Sequence, residues 1–324
     1  MKKTLSFLLI LLTFSILFCG CGFEVKDTCT VNFYVDGEIY ESKTVAIGST
    51  VSMPVAPQKT NEIFVGWYIG SVFTAEFDFS TPILMDIDLR AYYTVDAIST
   101  SEMIYKESMR SVVTIRNKCY NSTMGGFVET DSSTSQGSGA VIDISGGYCY
   151  VLTNAHVVEH VSGFSQQSIT VEDPWGNEYE AIVYKHPSMT EKAVDESYDL
   201  ALICFKYNPK GDVSLAEMEL AKDPIIGANV IALGSPEGQK NSVTYGNAIS
   251  YQKLAMQDGE EPNVTFEVLF HDAFLTHGSS GGPLINPEGK LVGLNFAGVG
   301  DGTYGCTIPV SKIKEFLDIY VYNK

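Results

Sequence analysis

The sequence has few of the residues that cross-link small secreted domains or hold structural zinc. It contains seven cysteines in 324 residues, and no two of them form a C-x-x-C pair. A structural zinc site built on paired cysteines is therefore not expected. Without Cys19 and Cys21 five cysteines remain, an odd number spread along the chain, which is not a disulfide framework. One bridge among them stays an open alternative.

Basic residues are also scarce. The chain has 21 Lys and Arg against 39 Asp and Glu, which gives a formal net charge of −18. This balance disfavours nucleic acid as a partner, because binding to phosphates rests on positive charge. Hydrophobic residues make up 45% and aromatic residues 11% of the chain, so we expect packed cores rather than disorder. The length allows two or three domains.

Long apolar runs are absent apart from one at the N-terminus. The run from Leu5 to Phe18 follows Lys2 and Lys3, and it is shorter than the roughly 20 residues that span a bilayer. The stretch "LFCGC" (17–21) resembles a bacterial lipobox, although Phe18 stands where Leu is commoner and Cys19 is a second candidate for the modified cysteine. We therefore expect a signal peptide over 1–20 and lipidation of Cys21, which would anchor an extracytoplasmic protein to the membrane. The alternative is a plain signal peptide cleaved nearby.

Residues 29–95 read as a separate small β unit without histidine. Asp36-Gly37 between two alternating runs predicts a hairpin. The segments "VAIGSTV", "GWY" and "FDFSTPI" resemble a Listeria–Bacteroides repeat, and this resemblance implies a β-grasp-like spacer or adhesion module of a cell surface. A generic small β domain is the alternative. A polar linker is predicted over 96–101.

The remaining residues, 102–324, predict a mainly β domain. Many short apolar runs bounded by turn residues favour a sandwich or barrel over βαβ units. A short helix is expected near 102, and the polar stretch 121–139 is expected to form a long exposed loop. The last segment, 310–323, has its apolar residues at helical spacing and predicts a terminal amphipathic helix.

The Gly-rich stretch "THGSSGGPLIN" (276–286) places Ser280 in a turn where backbone N–H groups can point outward. A serine hydroxyl needs a base within hydrogen-bond reach and a third group that orients the base. Histidine is scarce, with five residues in the chain, and His156 stands where the apolar strand "YVLTNAHVV" ends. Asp199, at the start of the buried run "YDLALI", is the candidate orienting carboxylate.

These segments together resemble the HtrA type of trypsin-like serine protease, from about residue 102 to 322. The resemblance includes "GSGAVID", "EYEAIVYKHP" and "IIGANVIALGSPEG", and the order His156, Asp199, Ser280 agrees with the family. It implies two six-stranded antiparallel β-barrels with a C-terminal helix and the site between the barrels. HtrA enzymes usually continue into a PDZ domain, which we do not expect within these 324 residues. The family also implies a homotrimer.

The implied chemistry assigns roles to the three residues. Ser280 attacks the scissile carbonyl, His156 takes and returns the proton, and Asp199 orients His156. The N–H groups of Gly278 and Ser280 form the oxyanion hole, and this chemistry requires no cofactor and no metal. By family position the S1 pocket, which holds the residue before the scissile bond (P1), contains no acidic floor. Its expected residues are Phe274, Leu275, Asn295, Phe296 and Ala297. We therefore expect protein or peptide substrates with small or medium apolar P1 residues.

Two other interpretations compete with this one. The segment "HVVEH" (156–160) fits an H-x-x-E-H zinc motif, but Gly163 would end the helix that such a site needs. A catalytically silent protease fold could also serve as a surface adhesion or binding protein beside the N-terminal module. The presence of all three triad residues argues against that alternative.

Overall fold

The computed structural model describes residues 27–70, 73, 75–123, 128–187, 197–208, 213–235, 241–254, 264–299 and 303–322. The predicted signal peptide 1–20 and Cys21 lie outside these residues. Among the helices of the described part, none has the length and apolar character needed to cross a bilayer. The five cysteines beyond Cys21 are all buried and unpaired, so the one disulfide that the sequence had left possible is not formed.

The N-terminal unit is a five-stranded mixed sheet. Its strands follow the order β2-β1-β5-β3-β4, in which β1 and β5 run parallel and the other neighbours antiparallel. The expected hairpin joins β1 and β2, because Asp36 (φ +52°) and Gly37 (φ +84°) adopt the left-handed conformations of a tight turn. Phe33 and Trp67 are central to its core. The strands are Thr28–Val35 (β1), Glu38–Ala46 (β2), Glu62–Ile69 (β3), Ala75–Glu76 (β4) and Ile87–Val95 (β5).

The segment 96–101, expected to be a linker, instead begins a helix, α1 (Ala97–Lys106). Asp96 caps it, because its carboxylate accepts hydrogen bonds from the backbone N–H and the hydroxyl of Ser99. A 3₁₀ turn over Ser108–Ser111 then leads into the first barrel. The segment predicted as a linker thus contains the capping residue and the first turn of α1.

The first closed barrel has the strand order β10-β11-β8-β7-β6-β9, and all its neighbours are antiparallel. The prediction of a long exposed loop over 121–139 was wrong. Its described residues belong to the pairing of β6 with β7, since a backbone ladder can extend strands whose side chains are polar and exposed. The strands are Val112–Thr123 (β6), Val128–Ser145 (β7), Tyr148–Thr153 (β8), Gln166–Glu172 (β9), Glu178–Lys185 (β10) and Ala201–Lys206 (β11).

The second closed barrel has the order β12-β13-β14-β17-β16-β15, again antiparallel. With it the predicted fold of two six-stranded antiparallel barrels is confirmed. The strands are Asn229–Gly234 (β12), Ser242–Lys253 (β13), Glu267–His271 (β14), Pro283–Ile285 (β15), Leu291–Val299 (β16) and Tyr304–Pro309 (β17).

The expected C-terminal helix follows as α2 (Val310–Phe316), extended by one π turn over Leu317–Val321. Apart from Val310, its buried residues belong to a core that also includes Leu152 and Leu202 of the first barrel and Ile231 of the second. This shared apolar core holds the two barrels against each other. The loops at their seam are therefore supported from both sides.

The N-terminal sheet lies against the second barrel. The side-chain amide of Asn229 donates to the carbonyl of Tyr93 at 3.0 Å and to the carboxylate of Glu62 at 2.6 Å. Asn61 reaches in the other direction and donates to the carbonyl of Pro287 at 2.9 Å. These polar contacts make the N-terminal sheet a docked part of the molecule.

Candidate active site

A tight turn after β8 presents His156. The backbone N–H of Val157 bonds to the carbonyl of Asn154, and that of Val158 to the carbonyl of Ala155. Val157 and Val158 are buried in the first barrel, while the side chain of His156 stays 34% exposed. The turn thus uses the two valines as anchors and leaves the imidazole at the surface. Residues 154–160 form no helix, so His156 and His160 do not share the helical face that a zinc motif would require.

Asp199 adopts a left-handed backbone conformation (φ +46°) just before β11, which is uncommon for a residue with a side chain. Two donors hold its carbonyl: the backbone N–H of Ala155 at 3.1 Å and the side-chain amide of Asn154 at 3.0 Å. Its neighbour Tyr198 is buried among aromatic rings that include Phe316 of α2. The surrounding structure therefore compensates for the strained position.

The carboxylate of Asp199 is almost completely buried and receives two hydrogen bonds from one residue. One oxygen accepts the backbone N–H of His156 at 3.0 Å, and the other lies 2.8 Å from Nδ1 of the same imidazole. The structure therefore brings together the base and the orienting acid expected from the sequence. With Nδ1–H directed at the carboxylate, Nε2 is left as the basic nitrogen.

The loop 276–282 carries Ser280 and is closed by its own backbone. Ser279 N–H bonds to the carbonyl of Thr276, and Gly282 N–H bonds to the carbonyl of Ser279. Gly281 (φ +81°) cannot be replaced without a shift, because a Cβ there would lie 2.1 Å from the carbonyl oxygen of Ser138. The need for close approach explains the glycine density in this stretch.

The loop packs beside the turn that holds His156. A Cβ on Gly137 would touch both the Val157 side chain and the carbonyl oxygen of Ser280, which shows how close these two segments come. The hydroxyl of Ser280 donates to the carbonyl of Phe296 at 3.3 Å, and no hydrogen bond joins it to His156 in the described structure. The third member of the expected triad is thus placed at the site with its hydroxyl turned toward Phe296.

The backbone N–H groups of Gly278 and Ser280 donate to no acceptor within the described residues. Gly278 has a φ of +92°, which a residue with a side chain rarely adopts. Unsatisfied N–H donors next to a nucleophile are what an oxyanion hole requires.

A pocket of about 570 Å³ opens beside Ser280. Four of the five expected S1 residues line it, namely Phe274, Leu275, Phe296 and Ala297. Asn295 does not line it: its side chain is fully buried, and its carboxamide oxygen accepts a hydrogen bond from Thr307 at 2.6 Å. Gly298, at the end of the pocket wall expected over 295–298, also lines it. The sequence did not single out three further lining residues as S1 residues: Thr276, His277 and Ser279. No acidic residue lines the described pocket.

A buried histidine behind this pocket was missed by sequence reasoning. His271 has no exposed surface, and its Nε2 lies 2.9 Å from the hydroxyl of Thr307. The Thr307 hydroxyl donates its one hydrogen to Asn295, so it can only accept a hydrogen bond from His271. The imidazole hydrogen is therefore on Nε2. Burial lowers the pKa of His271 from 6.5 to about 4. The apolar run Val268, Leu269 and Phe270 just before it was the available signal of its burial.

Comparisons with known proteins agree with this geometry. A family model described as a trypsin-like peptidase domain matches residues 113–294, and one described as a Listeria–Bacteroides repeat domain matches residues 30–92. Serine protease HTRA4 of Mus musculus is 35% identical over 187 residues, which cover 58% of this chain and 35% of the relative. Putative serine protease HhoA of Synechocystis sp. is 35% identical over 181 residues, covering 55% and 41%.

The chain thus spans about a third to two fifths of the length of these curated relatives. A solved structure described as the Rv3671c protease from M. tuberculosis, active form, superimposes with a TM-score of 0.51 at 26% identity. That likeness covers 68% of this chain and 86% of the other. Since the peptidase model covers more than half of its residues, this chain belongs to the trypsin-like peptidase family, with HtrA-type relatives and a Listeria–Bacteroides repeat domain ahead of the peptidase domain.

Proposed function

We propose that this protein is a serine endopeptidase that cleaves proteins or peptides through an acyl-enzyme. The observation that carries the proposal is the hydrogen bond of 2.8 Å between His156 Nδ1 and the buried Asp199 carboxylate, next to the loop of Ser280. A buried carboxylate that fixes the imidazole tautomer has its main use where Nε2 must accept a proton. The site needs no metal or cofactor for this reaction.

The proposed reaction follows from the roles of the three side chains. Rotation about the Cα–Cβ bond of Ser280 turns its hydroxyl away from the Phe296 carbonyl and toward His156 as substrate binds. Ser280 Oγ then attacks the scissile carbonyl while His156 Nε2 takes the hydroxyl proton and passes it to the leaving amine. Asp199 stabilises the imidazolium, and the N–H groups of Gly278 and Ser280 stabilise the oxyanion. A water molecule then attacks the acyl-enzyme in the same way, with His156 as the base, and releases the acyl group.

We propose small or medium apolar P1 residues as the preferred substrates. The pocket beside Ser280 is lined by Phe274, Leu275, Phe296 and Ala297, and no acid in it would pair with Lys or Arg. Mass spectrometric mapping of cleavage sites in a peptide library tests this preference. Cleavage mainly after Lys or Arg would refute it.

The cellular placement is proposed on the sequence alone. The basic and apolar start of the chain and the lipobox-like "LFCGC" support export, cleavage before Cys21 and anchoring by acyl chains. Metabolic labelling with a radioactive fatty acid, compared between the full-length protein and Cys21→Ala, tests the anchor. The homotrimer implied by the HtrA resemblance stays a prediction, which sedimentation measurements of the molecular mass would test.

One observation favours a second candidate, a catalytically silent binding protein of the same fold. The Ser280 hydroxyl is bonded to the carbonyl of Phe296 at 3.3 Å rather than to His156. A serine held permanently in this orientation would not be activated. Hydrogen bonds of catalytic groups are often made only when substrate is bound, so this geometry does not outweigh the His156–Asp199 pair.

Labelling by a fluorophosphonate probe separates the two candidates. We expect covalent labelling of the mature protein, no labelling of Ser280→Ala, and the same result with a metal chelator present. Complete lack of labelling and of peptide cleavage in the wild type would favour the silent binding protein.

A further inference from the structure

A buried serine of the first barrel, Ser138 in β7, makes four hydrogen bonds at the seam between the barrels. Its backbone N–H donates to the carbonyl of Ser280 at 2.8 Å, and its hydroxyl donates to the carbonyl of Gly278 at 2.8 Å. The hydroxyl also accepts the backbone N–H of Ser235 at 3.0 Å, and the Ser138 carbonyl accepts the hydroxyl of Thr153 at 2.8 Å. One residue therefore holds two carbonyls of the loop 276–282.

The direction of the Ser138 hydroxyl is fixed by its partners. A serine hydroxyl has one hydrogen to donate, and the N–H of Ser235 can only donate to it. The hydrogen of Ser138 is thus directed at Gly278. Ser235 is itself held, because its hydroxyl receives the hydroxyl hydrogen of Thr114 at 2.7 Å.

The peptide unit between Gly278 and Ser279 is held at both ends as a result. Its carbonyl receives the Ser138 hydroxyl, and its N–H donates to the carbonyl of Thr276 at 3.0 Å. A peptide unit is planar, so a flip of this unit would break both bonds together. Gly278 has little resistance to such a flip by itself, because a glycine adopts either sign of φ readily.

The surroundings leave Ser138 no alternative arrangement. A Cβ on Gly234 would lie 3.1 Å from its hydroxyl oxygen, and a Cβ on Gly282 would lie 3.3 Å from its Cβ. Ser138 has no exposed surface. Glycines thus clear a space that closely fits a serine side chain, and loss of its hydroxyl would leave a buried carbonyl and a buried N–H without partners.

We propose that Ser138 is a positioning residue of the active site, whose hydroxyl keeps the 278–279 peptide unit in the orientation that leaves the Gly278 and Ser280 N–H groups free for the oxyanion. Ser138 touches neither substrate nor reacting atoms. It acts from the first barrel on a loop of the second. The proposal rests on the proposed peptidase function for its kinetic consequence, whereas its structural consequence is independent of activity.

The test compares Ser138→Ala with Ser108→Ala, which changes a second buried serine. Within the described residues the Ser108 hydroxyl hydrogen-bonds only to the sulfur of Met103. Active sites are first titrated with the fluorophosphonate probe so that rates refer to assembled sites. We expect kcat per site to fall about tenfold or more in Ser138→Ala with KM changed less than twofold, because the oxyanion forms only in the transition state. Inhibition by a peptide boronate, which mimics the oxyanion, should weaken by a similar factor.

Ser108→Ala should leave both kcat per site and boronate affinity within about twofold of the wild type. Wild-type kcat per titrated site in Ser138→Ala, or an equal loss in both variants, would overturn the proposal. A rise in KM without a fall in kcat would also overturn it, since that would indicate lost substrate binding.

A second readout does not depend on activity. Hydrogen–deuterium exchange of the peptide covering 276–282 should be faster in Ser138→Ala than in the wild type and Ser108→Ala. If the wild type neither labels nor cleaves, the proposed function fails, and faster exchange in Ser138→Ala would still support the hold of Ser138 on the loop. Unchanged exchange of this peptide would refute the role of Ser138 whether or not the protein is active.

Discussion

Lowering the pH from 7.5 to 5 is expected to destabilise the second barrel through His271. This side chain, on the last residue of β14, is fully buried and shares one hydrogen bond with Thr307 of β17. Burial lowers its pKa from 6.5 to about 4, so the folded state keeps it neutral while the unfolded state takes up a proton below pH 6.5. The unfolded state therefore binds more protons in this range, and stability falls as the pH falls.

The size of the effect follows from the two pKa values. Each pKa unit corresponds to about 1.4 kcal/mol, so the full shift corresponds to about 3 kcal/mol. The loss begins near pH 6.5, reaches about 2 kcal/mol at pH 5, and levels off below about pH 4, where both states are protonated. For a barrel of ordinary stability this is a large fraction of the free energy of unfolding.

The assay is urea unfolding followed by circular dichroism at pH 7.5, 6 and 5, with Ser280→Ala as the background so that self-digestion cannot occur. Native-state hydrogen exchange of peptides covering β14 and β17, corrected for intrinsic rates, locates the effect in the second barrel. The control is His271→Gln, which keeps a side-chain amide for Thr307 but does not titrate. Because all other titrating groups are common to both proteins, the difference between their pH slopes isolates His271.

We expect the His271 protein to lose about 2 kcal/mol more than His271→Gln between pH 7.5 and 5. Glutamine can lower stability at every pH, and this does not affect the comparison of slopes. Equal slopes in the two proteins would refute the argument, because they would mean that His271 is either protonated in the fold or able to reach solvent.

Three further predictions concern the site and the domain contact. Asp199→Asn should fold normally but lower kcat about 10⁴-fold, because an amide at this position favours the wrong tautomer of His156. Steady-state peptide hydrolysis measures kcat. A loss below tenfold would contradict the role of the carboxylate. Gly281→Ala should abolish fluorophosphonate labelling, because its Cβ would lie 2.1 Å from the Ser138 carbonyl oxygen; normal labelling would show that the loop can shift at little cost. Asn229→Ala should weaken docking of the N-terminal sheet by about 1–3 kcal/mol, because the Tyr93 carbonyl and the Glu62 carboxylate each lose the hydrogen bond from Asn229. Faster proteolysis between the units would show this, whereas unchanged proteolysis would mean that other contacts suffice.

Much of the fold was predictable because its signals are local. The short β runs bounded by turn residues indicated a barrel domain, and the helical spacing of Ile313, Phe316 and Tyr320 indicated the C-terminal helix. The pairing of β6 with β7 was not predictable in the same way. Polar residues such as those of 128–135 show no apolar alternation, and only backbone pairing with a distant strand makes them extended.

The candidate site shows the same distinction between local signals and long-range contacts. The sequence determined which side chains can perform the chemistry: a glycine-framed Ser280, His156 at a strand end, and Asp199 at the mouth of a buried strand, because reactive groups and turn residues are properties of short segments. Only the tertiary structure decided how they are held. Ser138 reaches the Ser280 loop from the other barrel, 140 residues before Gly278, and the Ser280 hydroxyl faces Phe296 rather than His156. Hydrogen bonds between distant segments depend on the packing of the two barrels, which no short stretch of sequence encodes.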